Sequence, residues 1–253
     1  MTSVAVSGAA GRMGRLVAET VAGAADLSLG ALYDPQGAGE TVAGAEVSTD
    51  PASVEGADVV VEFTRPDVVI DNLDLWRRLR VHAVVGTSGF DETRLAEVTA
   101  LWESSPPNCL IVPNFSVGAV LMMRFAELAA PHFSAAEVIE LHHDQKADAP
   151  SGTAIATAAR IDAAGEQQRA VESAELRPGA RGASIGDVPV HSIRLPGLLA
   201  HHEVVFGAAG ETFTIRHDST DRASFMPGVL LAIRNVADLD DPVTVGLDAL
   251  LGV

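Results

Sequence analysis

The first part of the chain alternates short, continuously apolar runs with longer segments in which apolar residues recur every three or four positions. Strands are predicted for five of the apolar runs, at residues 3–8, 27–34, 57–64, 82–89 and 108–114. Helices are predicted between them, near residues 12–23, 67–80 and 91–103. Because strands that are apolar on both faces belong in parallel sheets covered on both sides, the pattern predicts a doubly wound α/β sheet.

The pattern changes after residue 116. A long helix is predicted over 117–131, then the strand-like run "AEVIELHH", and a second helix begins at Ser151. A stretch rich in Pro, Gly and Arg, from about 172 to 188, is expected to be irregular. Three strand-like runs follow, and in the last of them Phe213 and Ile215 alternate with polar residues, as in a sheet with one covered face.

The end of the chain returns to the first pattern. Residues 224–239 predict a helix, and the run "VTVG" predicts a short strand that goes back to the first domain. We therefore expect a Rossmann-like, doubly wound domain formed by residues 1–116 and 226–253. Residues 117–225 are expected to form an inserted α+β domain with a mixed open sheet.

Composition narrows the class of protein. Hydrophobic residues make up 47% of the 253 residues, enough for sizeable cores, and the formal net charge is −17. So acidic a chain repels nucleic-acid phosphates and anionic lipids, so we expect neither nucleic acid nor a membrane as partner. The single cysteine, Cys109, cannot form an internal disulfide, and a buried apolar role is expected for it. With a strand beginning almost at Met1, no signal peptide is predicted, and we expect a cytoplasmic protein.

The segment "VAVSGAAGRMGRLVAE" places Gly8, Gly11 and Gly14 between the first strand and the first helix. Glycines there permit a tight turn and let backbone N–H groups approach a pyrophosphate at the positive end of the helix. Asp34 ends the second strand twenty residues after Gly14, where a carboxylate can bind the ribose hydroxyls of an adenosine. The spacing is looser than the strict dinucleotide fingerprint, but its context predicts a nicotinamide cofactor.

The residue after this acid bears on the choice between NADH and NADPH. Pro35 offers no charge to a 2′-phosphate, and Asp34 repels one. Arg12 in the glycine loop can still reach such a phosphate. We therefore expect NADH to be preferred and NADPH to be tolerated.

Two further turns, "VGTSGF" and "VPNFSVG", follow the fourth and fifth predicted strands. Both lie at carboxyl ends of strands, where doubly wound sheets bind their ligands. Gly86, Thr87, Asn114 and Phe115 are therefore candidates for the walls of a nicotinamide pocket.

The segment "HHDQKADAPSGTA" contains the only lysine of the chain, Lys146, among 17 Lys and Arg residues in all. A lysine ammonium can release a proton when burial or a nearby cation lowers its pKa, whereas a guanidinium cannot. A histidine, with an ordinary pKa of about 6.5, is a suitable partner for acid–base work at neutral pH. His142 and His143 are expected to project from opposite faces of a strand, so no metal site is predicted there.

The same segment predicts the start of a helix. Ser151 is a good N-cap, which leaves the backbone N–H groups of Gly152 and Thr153 in the first turn. Such a helix end binds anions, and a threonine hydroxyl adds a donor. With Lys146 and the histidines just upstream, we predict a pocket for an anionic substrate that takes up a proton. Whether Lys146 acts mainly as an acid or as a carboxylate clamp is left open.

Five segments together carry a resemblance to a known family. They are "GAAGRMG", "GTSGF", "PNFSVGAV", "ELHHDQKADAPSGTA" and "HDSTDRASFMPGVL". The chain resembles the dihydrodipicolinate reductases (4-hydroxy-tetrahydrodipicolinate reductases) of bacterial lysine biosynthesis, above all the actinobacterial branch. The resemblance runs essentially from end to end, and the His–His–Lys–APSGT signature is its most specific part.

The resemblance implies hydride transfer from NADH or NADPH to C4 of a cyclic imine derived from 4-hydroxytetrahydrodipicolinate, with loss of water and protonation of the resulting enamine. It implies that His142 is the acid–base histidine and Lys146 the proton donor. The substrate contacts that it implies are His143, Gly152 and Thr153. The cofactor contacts that it implies are Gly8, Ala9, Ala10, Gly11, Arg12, Met13, Asp34, Gly86, Thr87, Ser88, Val112, Pro113, Asn114 and Phe115. It also implies a homotetramer built on the sheet of the second domain.

The chain departs from the family pattern at two positions. Gln145 stands where many members have a third histidine, and Pro35 stands where NADPH-favouring members have an arginine. Two other functions remain alternatives: a different two-domain dehydrogenase acting on an aldehyde or amino acid, and a regulator that binds NADH without chemistry. Aldehyde oxidation through a thioester would need Cys109 as the nucleophile.

Overall fold

The computed structural model describes residues 1–104, 106–165 and 173–252, which form two compact units. One unit comprises residues 1–116 and 225–252, and the other comprises residues 117–224. The strands are β1 (Thr2–Ser7), β2 (Leu27–Tyr33), β3 (Thr41–Val42), β4 (Ala45–Ser48), β5 (Val59–Glu62), β6 (His82–Val85), β7 (Cys109–Ile111), β8 (Ala135–His142), β9 (Ala183–Ile185), β10 (Val188–Arg194), β11 (Ala200–Ala208), β12 (Glu211–Ser219) and β13 (Val243–Val245). The α-helices are α1 (Arg12–Gly23), α2 (Val69–Arg78), α3 (Glu92–Leu101), α4 (Val117–Ala129), α5 (Gly152–Ala164), α6 (Met226–Asn235) and α7 (Asp248–Leu251).

The first unit is built on a sheet with the strand order β13-β7-β6-β5-β1-β2-β4-β3. Its neighbouring strands are parallel, apart from the short antiparallel pair β3–β4. This confirms the predicted doubly wound sheet, and β13 pairs with β7 as the run "VTVG" predicted. Because β1, β5, β6 and β7 are neighbours, the turns at their carboxyl ends share one edge of the sheet.

Three predicted strands are too long at their carboxyl ends. β5 ends at Glu62, β6 at Val85 and β7 at Ile111, although apolar residues or glycines continue beyond each of them. Hydrophobicity alone does not mark the point where the backbone leaves the ladder, and here the chain turns outward into the loops at the sheet edge. The predicted helices at 117–131 and 224–239 are also shorter, because their ends tighten into 3₁₀ turns.

The core of the first unit holds two large indoles. Trp76 and Trp102 are almost completely buried, and the Trp102 indole N–H donates to the carbonyl oxygen of Pro107 at 2.6 Å. Cys109 is packed in the same cluster, which confirms its predicted apolar role. Burial raises the pKa of the Cys109 thiol, so the sulfur is held neutral and away from any reactant.

The second unit is built on a sheet with the order β12-β11-β8-β10-β9. β10 runs parallel to β8 and the other pairs are antiparallel, which confirms the predicted mixed open sheet. Helices α4 and α5 cover one face with an apolar cluster that includes Val138, Val204, Phe206 and Ile161. The stretch 172–188, predicted to be irregular, contains β9 and the first residue of β10. The prediction is wrong for these residues because the Gly and Pro residues there mark turns between short strands. Residue 172 lies outside the described part of the chain. Within the described ranges, no helix is long and apolar enough to cross a bilayer.

Candidate active site

The glycine loop brings three backbone segments unusually close together. Gly8 has a φ of +81°, and a Cβ atom there would lie 2.6 Å from the carbonyl oxygen of Phe63. A Cβ atom on Gly14 would lie 2.1 Å from the carbonyl oxygen of Gly8, so both positions require glycine. Helix α1 then begins at Arg12, with Gly11 as N-cap and no side chain capping the first turn. The loop therefore has the geometry that a bound pyrophosphate needs.

Asp34 lies beside this loop at the end of β2. Its carboxylate accepts hydrogen bonds from the backbone N–H groups of Ala10 at 3.1 Å and Gln36 at 2.9 Å. Each oxygen keeps lone pairs for the hydroxyls of a ribose. Arg15, which the sequence does not single out, also contacts this loop: its guanidinium donates to the carbonyl oxygen of Ala10 at 3.0 Å and pairs with Glu40. The only sequence signal for this contact is that Arg15 lies in the first turn of the helix that follows the glycine loop.

The other loop positions differ in exposure. Ala9 is completely buried, Met13 is half-buried, and Arg12 is exposed. Because the Arg12 guanidinium stands in solvent, it is open to a charged ligand at the loop.

The turns after β6 and β7 meet around an aromatic pair. The rings of Phe63 and Phe115 lie with their centroids 5.5 Å apart. A Cβ atom on Gly86 would lie 2.2 Å from the ring of Phe63 and 2.7 Å from the ring of Phe115. Gly86 is thus a position where only glycine lets the two rings approach.

The remaining predicted cofactor residues lie on the same two turns. Thr87 and Val112 are buried, and the Thr87 hydroxyl lies 3.4 Å from the backbone carbonyl oxygens of Glu62 and Thr64, to which it donates. Ser88 and Pro113 are exposed at the edge. The Asn114 amide oxygen accepts from the backbone N–H of Ser116 at 2.9 Å, which fixes the turn.

A buried carboxylate, which the sequence does not single out, stabilises the turns at this edge of the sheet. Glu62, the last residue of β5, is completely buried and accepts from the indole N–H of Trp76 and the amide of Asn72, both at 3.2 Å. It also accepts from the backbone N–H of Thr64 at 2.9 Å and from its hydroxyl. Glu62 therefore fixes the turn after β5. A charged residue at the end of an apolar run was the only sequence signal.

In the second unit, His142 is the last residue of β8 and touches a buried carboxylate. Its Nδ1 atom is hydrogen-bonded to Glu140, which is completely buried. Arg194 binds Glu140 through two hydrogen bonds, of 2.9 and 2.8 Å. Burial would raise the pKa of Glu140, but the hydrogen bonds from Arg194, Ser192 and His142 hold it below its ordinary value. The carboxylate is therefore ionised at neutral pH.

Lys146 follows in the turn after β8. Its ammonium donates to the carboxylate of Asp148 at 2.8 Å, and this contact lowers the pKa of Asp148. Arg194 holds the same turn, since it donates to the carbonyl oxygen of Asp148 at 2.6 Å. His143 lies just past the strand and is partly buried, so the expectation that both histidines belong to the strand is wrong by one residue. The chain turns at His143, whose carbonyl accepts from the Lys146 N–H.

Helix α5 begins directly after this turn. The Ser151 hydroxyl accepts from the backbone N–H of Ala154 at 3.2 Å, which confirms the predicted N-cap. The Ser151 N–H donates to Glu140 at 3.2 Å. Gly152 and Thr153 form the first turn, and a Cβ atom on Gly152 would meet no other atom within 4 Å. Gly152 is exposed, so the start of the helix is accessible to an anion such as a carboxylate.

Two further histidines lie on the strands beyond Glu140. His202 is its register partner on β11, and His217 is the register partner of His202 on β12. His202 is 5% exposed, and burial lowers its pKa to about 4. Burial also lowers the pKa of His217. In the described residues, no cluster of His, Cys, Asp or Glu has the arrangement of a metal site.

Both halves of the chain match a known family. The family described as "Dihydrodipicolinate reductase, N-terminus" matches residues 2–115, and "Dihydrodipicolinate reductase, C-terminus" matches residues 118–251. The chain is 54% identical over 260 residues to the 4-hydroxy-tetrahydrodipicolinate reductase of Thermobifida fusca (strain YX), covering 100% of both chains. It is 50% identical over 262 residues to the enzyme of that name from Cutibacterium acnes (strain DSM 16379 / KPA171202), again covering 100% of both.

Solved structures agree with the sequence comparisons. A dipicolinate-bound dihydrodipicolinate reductase from Paenisporosarcina sp. TG-14 superposes with a TM-score of 0.87 at 38% identity, over 98% of this chain and 99% of that one. A myo-inositol dehydrogenase from Corynebacterium glutamicum ATCC 13032 gives a TM-score of 0.61 at 16% identity, over 94% of this chain and 89% of that one. The second likeness is one of fold alone.

Proposed function

Because the chain belongs to the dihydrodipicolinate reductase family, we propose that its single lysine and the histidine ending β8 handle the protons of the family's reaction. The enzyme reduces (2S,4S)-4-hydroxy-2,3,4,5-tetrahydrodipicolinate to 2,3,4,5-tetrahydrodipicolinate with NAD(P)H, in the diaminopimelate route to lysine. One hydride and one proton are added and one water leaves, with NAD(P)⁺ as the second product. When bound, the reduced nicotinamide supplies the hydride.

The observation that carries the proposal is the shared carboxylate of Glu140. One of its oxygens binds Nδ1 of His142 and the other binds the backbone N–H of Ser151. An imidazole and the anion-binding start of α5 are therefore fixed next to each other. A dicarboxylate whose acid group sits on the first turn of α5 is thereby brought close to a titratable group.

Each group has a separate task in this proposal. The first-turn N–H groups of Gly152 and Thr153, with the Thr153 hydroxyl and His143, hold the substrate carboxylates. Lys146 Nζ delivers the proton that completes the reduction, and it leaves the exposed carboxylate of Asp148 to do so. His142 Nε2 is the acid–base group beside it. Burial lowers the pKa of His142 and Glu140 opposes this shift, which suits a group that exchanges protons near neutral pH.

The cofactor site is proposed on the glycine loop and on the turns after β2, β6 and β7. The close backbone approaches at Gly8 and Gly14 suit the binding of a pyrophosphate, and the carboxylate of Asp34 can accept hydrogen bonds from ribose hydroxyls. We propose that NADH is preferred, because Pro35 offers no cation to a 2′-phosphate. NADPH is tolerated in this proposal, because the exposed Arg12 can offer one. The enzyme is proposed to act in the cytoplasm, which holds the reduced nicotinamide that it consumes.

The assembly is proposed to be a homotetramer built on the second sheet. α4 and α5 cover one face of this sheet, and the opposite face carries partly exposed apolar side chains such as Ile139, Val205 and Ile193. Light scattering should give a mass four times the 26.2 kDa of one chain. A monomer at working concentration would contradict this proposal.

A thioester dehydrogenase is the alternative that the structure disfavours. Such an enzyme needs an accessible thiolate, and the thiol of Cys109 is completely buried, with its pKa raised.

The experiment is a coupled assay in which the condensation product of pyruvate and aspartate semialdehyde is supplied with each cofactor and nicotinamide absorbance is followed. Wild-type enzyme should oxidise NADH, and His142→Gln should lower turnover while NADH affinity stays within twofold. His132→Gln, an exposed histidine, is the matched control and should behave as wild type. Normal turnover in His142→Gln would remove His142 from the proton path, and a parallel loss of NADH affinity would mean that it is misplaced.

A further inference from the structure

Glu140 is completely buried, yet donors surround it. Oε1 accepts from Arg194 at 2.8 Å and from the Ser151 N–H at 3.2 Å, and Oε2 accepts from Arg194 at 2.9 Å and meets His142. A buried carboxylate is costly unless it is paired and hydrogen-bonded, and this one is both. Its contacts reach the proposed acid–base histidine and the start of the proposed carboxylate site at once.

We propose that Glu140 is a positioning residue that holds the neutral imidazole of His142 in its Nδ1–H tautomer and leaves Nε2 as the atom that exchanges protons with the substrate. This inference rests on the proposed role of His142 and adds the group that orients it. Glu140 touches no reacting atom in this proposal and acts only through His142 and the start of α5.

The tautomer follows from the charge of Glu140. An ionised carboxylate has only acceptor atoms, so the ring nitrogen facing it must carry the hydrogen. Nδ1 faces Glu140, and Nε2 of the neutral ring is then an acceptor. When Nε2 takes up a proton, the imidazolium is stabilised by the carboxylate beside it. A buried carboxylate thus makes the ring both correctly oriented and more basic.

Arg194 makes this arrangement rigid. It is the register partner of His142 on β10, and its guanidinium grips Glu140 with two parallel hydrogen bonds. It also holds the carbonyl oxygen of Asp148, in the turn that carries Lys146. A single guanidinium therefore ties the carboxylate, and through it the imidazole, to the lysine segment.

The charged and titratable groups around His142 decide how its pKa responds. Burial lowers the pKa of His142, Glu140 raises it, and the positive charges of Lys146 and Arg194 lower it further. His202 on β11 also lies within electrostatic reach. Because Glu140 is the group that raises the pKa, its neutralisation should move the pKa of His142 to a lower value.

Glu140→Gln is the test variant, and Glu137→Gln is its matched control. Glu137 lies on the same strand and is also paired with an arginine and a histidine, Arg181 and His191, but on the other face. In Glu140→Gln the amide oxygen should stay with its two donors, Arg194 and Ser151. The amide N–H₂ then faces Nδ1, and the ring must switch to the Nε2–H tautomer.

Nitrogen-15 NMR of His142 in the free enzyme reads the tautomer, and steady-state kinetics read its consequence. For Glu140→Gln we expect the Nε2–H form, kcat lowered about 10- to 100-fold, NADH affinity within twofold, and a lower acidic pKa in the kcat/KM profile. Glu137→Gln should keep the wild-type tautomer and a turnover within twofold. Equal losses in both variants, or a Glu140→Gln enzyme with unchanged tautomer and turnover, would overturn the proposal.

The wild-type spectrum decides the matter even if Glu140→Gln fails to fold. Neutral His142 in wild-type enzyme should carry its hydrogen on Nδ1, and finding it on Nε2 would refute the positioning role. Failure of the proposed function looks different: His142→Gln would keep normal turnover while the Nδ1–H tautomer was still observed.

Discussion

Asp34 and Pro35 lie next to each other at the end of β2, in the proposed cofactor site. Both oxygens of Asp34 are bound to backbone N–H groups, so the negative charge is fixed in place, and Pro35 is exposed beside it. A fixed carboxylate accepts ribose hydroxyls and repels a 2′-phosphate. The proposed preference for NADH over NADPH therefore rests on these two positions.

Pro35→Arg should shift this preference toward NADPH. A guanidinium at this exposed position can bind the 2′-phosphate and offset the repulsion by Asp34. We expect the ratio of kcat/KM for NADPH over NADH to rise about tenfold. Pro178→Arg, which adds the same charge at an exposed site of the other unit, is the control and should leave the ratio unchanged. An unchanged ratio in Pro35→Arg would show that this position does not face the 2′-hydroxyl.

Among single residues, the sequence predicts a functional role only where the residue type is rare in the chain or stands at a recognisable spacing from a motif. Lys146 stands out because it is the only lysine, and Asp34 because it ends a strand at a set distance from the glycines. The sequence does not single out Glu140, and Arg194 reads there as a surface charge, because a Glu two residues before a His and an Arg 54 positions after that Glu carry no local signal of their contact. Their partnership exists only through the register of β8 and β10.

Helix α5 is the element on which substrate binding depends in this account. Its first turn is open at Gly152, and its N-cap Ser151 is held from behind by Glu140. The first residue of the helix, Gly152, is thus exposed to solvent, while the buried N-cap Ser151 is held in place by Glu140.

Gly152→Ala should weaken substrate binding without lowering the stability of the fold. The new methyl group meets no protein atom within 4 Å, and alanine in a helix is favoured over glycine by about 0.5–1 kcal/mol. The free energy of unfolding should therefore stay level or rise slightly. If a carboxylate sits on this turn, the methyl group collides with it, and the KM for substrate should rise about 10- to 100-fold.

Gly23→Ala is the matched control for this substitution. Gly23 ends α1 and also has no atom within 4 Å of an added Cβ, but it lies at the far end of its helix from the glycine loop. Its KM should be unchanged. An unchanged KM in Gly152→Ala as well would place the substrate elsewhere.

Elements were predicted well where local chemistry marks their ends. α1 spans the predicted residues 12–23, directly after the glycine loop, and α5 begins after its serine cap. β3 and β4 were missed because residues 41–48 contain no apolar run, and they are held by pairing with each other and with β2. Strand ends were overestimated because apolar residues continue into the loops that bear the candidate cofactor residues.

The stability of the whole molecule should depend on pH through its buried histidines. Burial lowers the pKa of His82, His142, His202 and His217. A histidine with a lowered pKa binds fewer protons when folded than when unfolded, so the free energy of unfolding falls as pH falls. For His202 this loss begins near pH 6.5, the ordinary value, and is complete below about pH 4.

Urea unfolding across this pH range measures the effect. A shift from 6.5 to about 4 corresponds to about 3 kcal/mol for His202. Relative to its own value at neutral pH, His202→Gln should lose about that much less stability than wild type on acidification. His132→Gln, an exposed histidine, should follow the wild-type curve. Parallel curves for all three proteins would show that His202 is not held neutral in the fold.

The turnover of Lys146→Arg is the most direct test of the central claim, that the one lysine of the chain is a proton donor. The substitution keeps the positive charge and the partner Asp148 but replaces a dissociable ammonium by a guanidinium that holds its protons. We predict that turnover with 4-hydroxytetrahydrodipicolinate and NADH falls by about two to four orders of magnitude, with NADH affinity unchanged. Turnover close to that of wild type would contradict the claim.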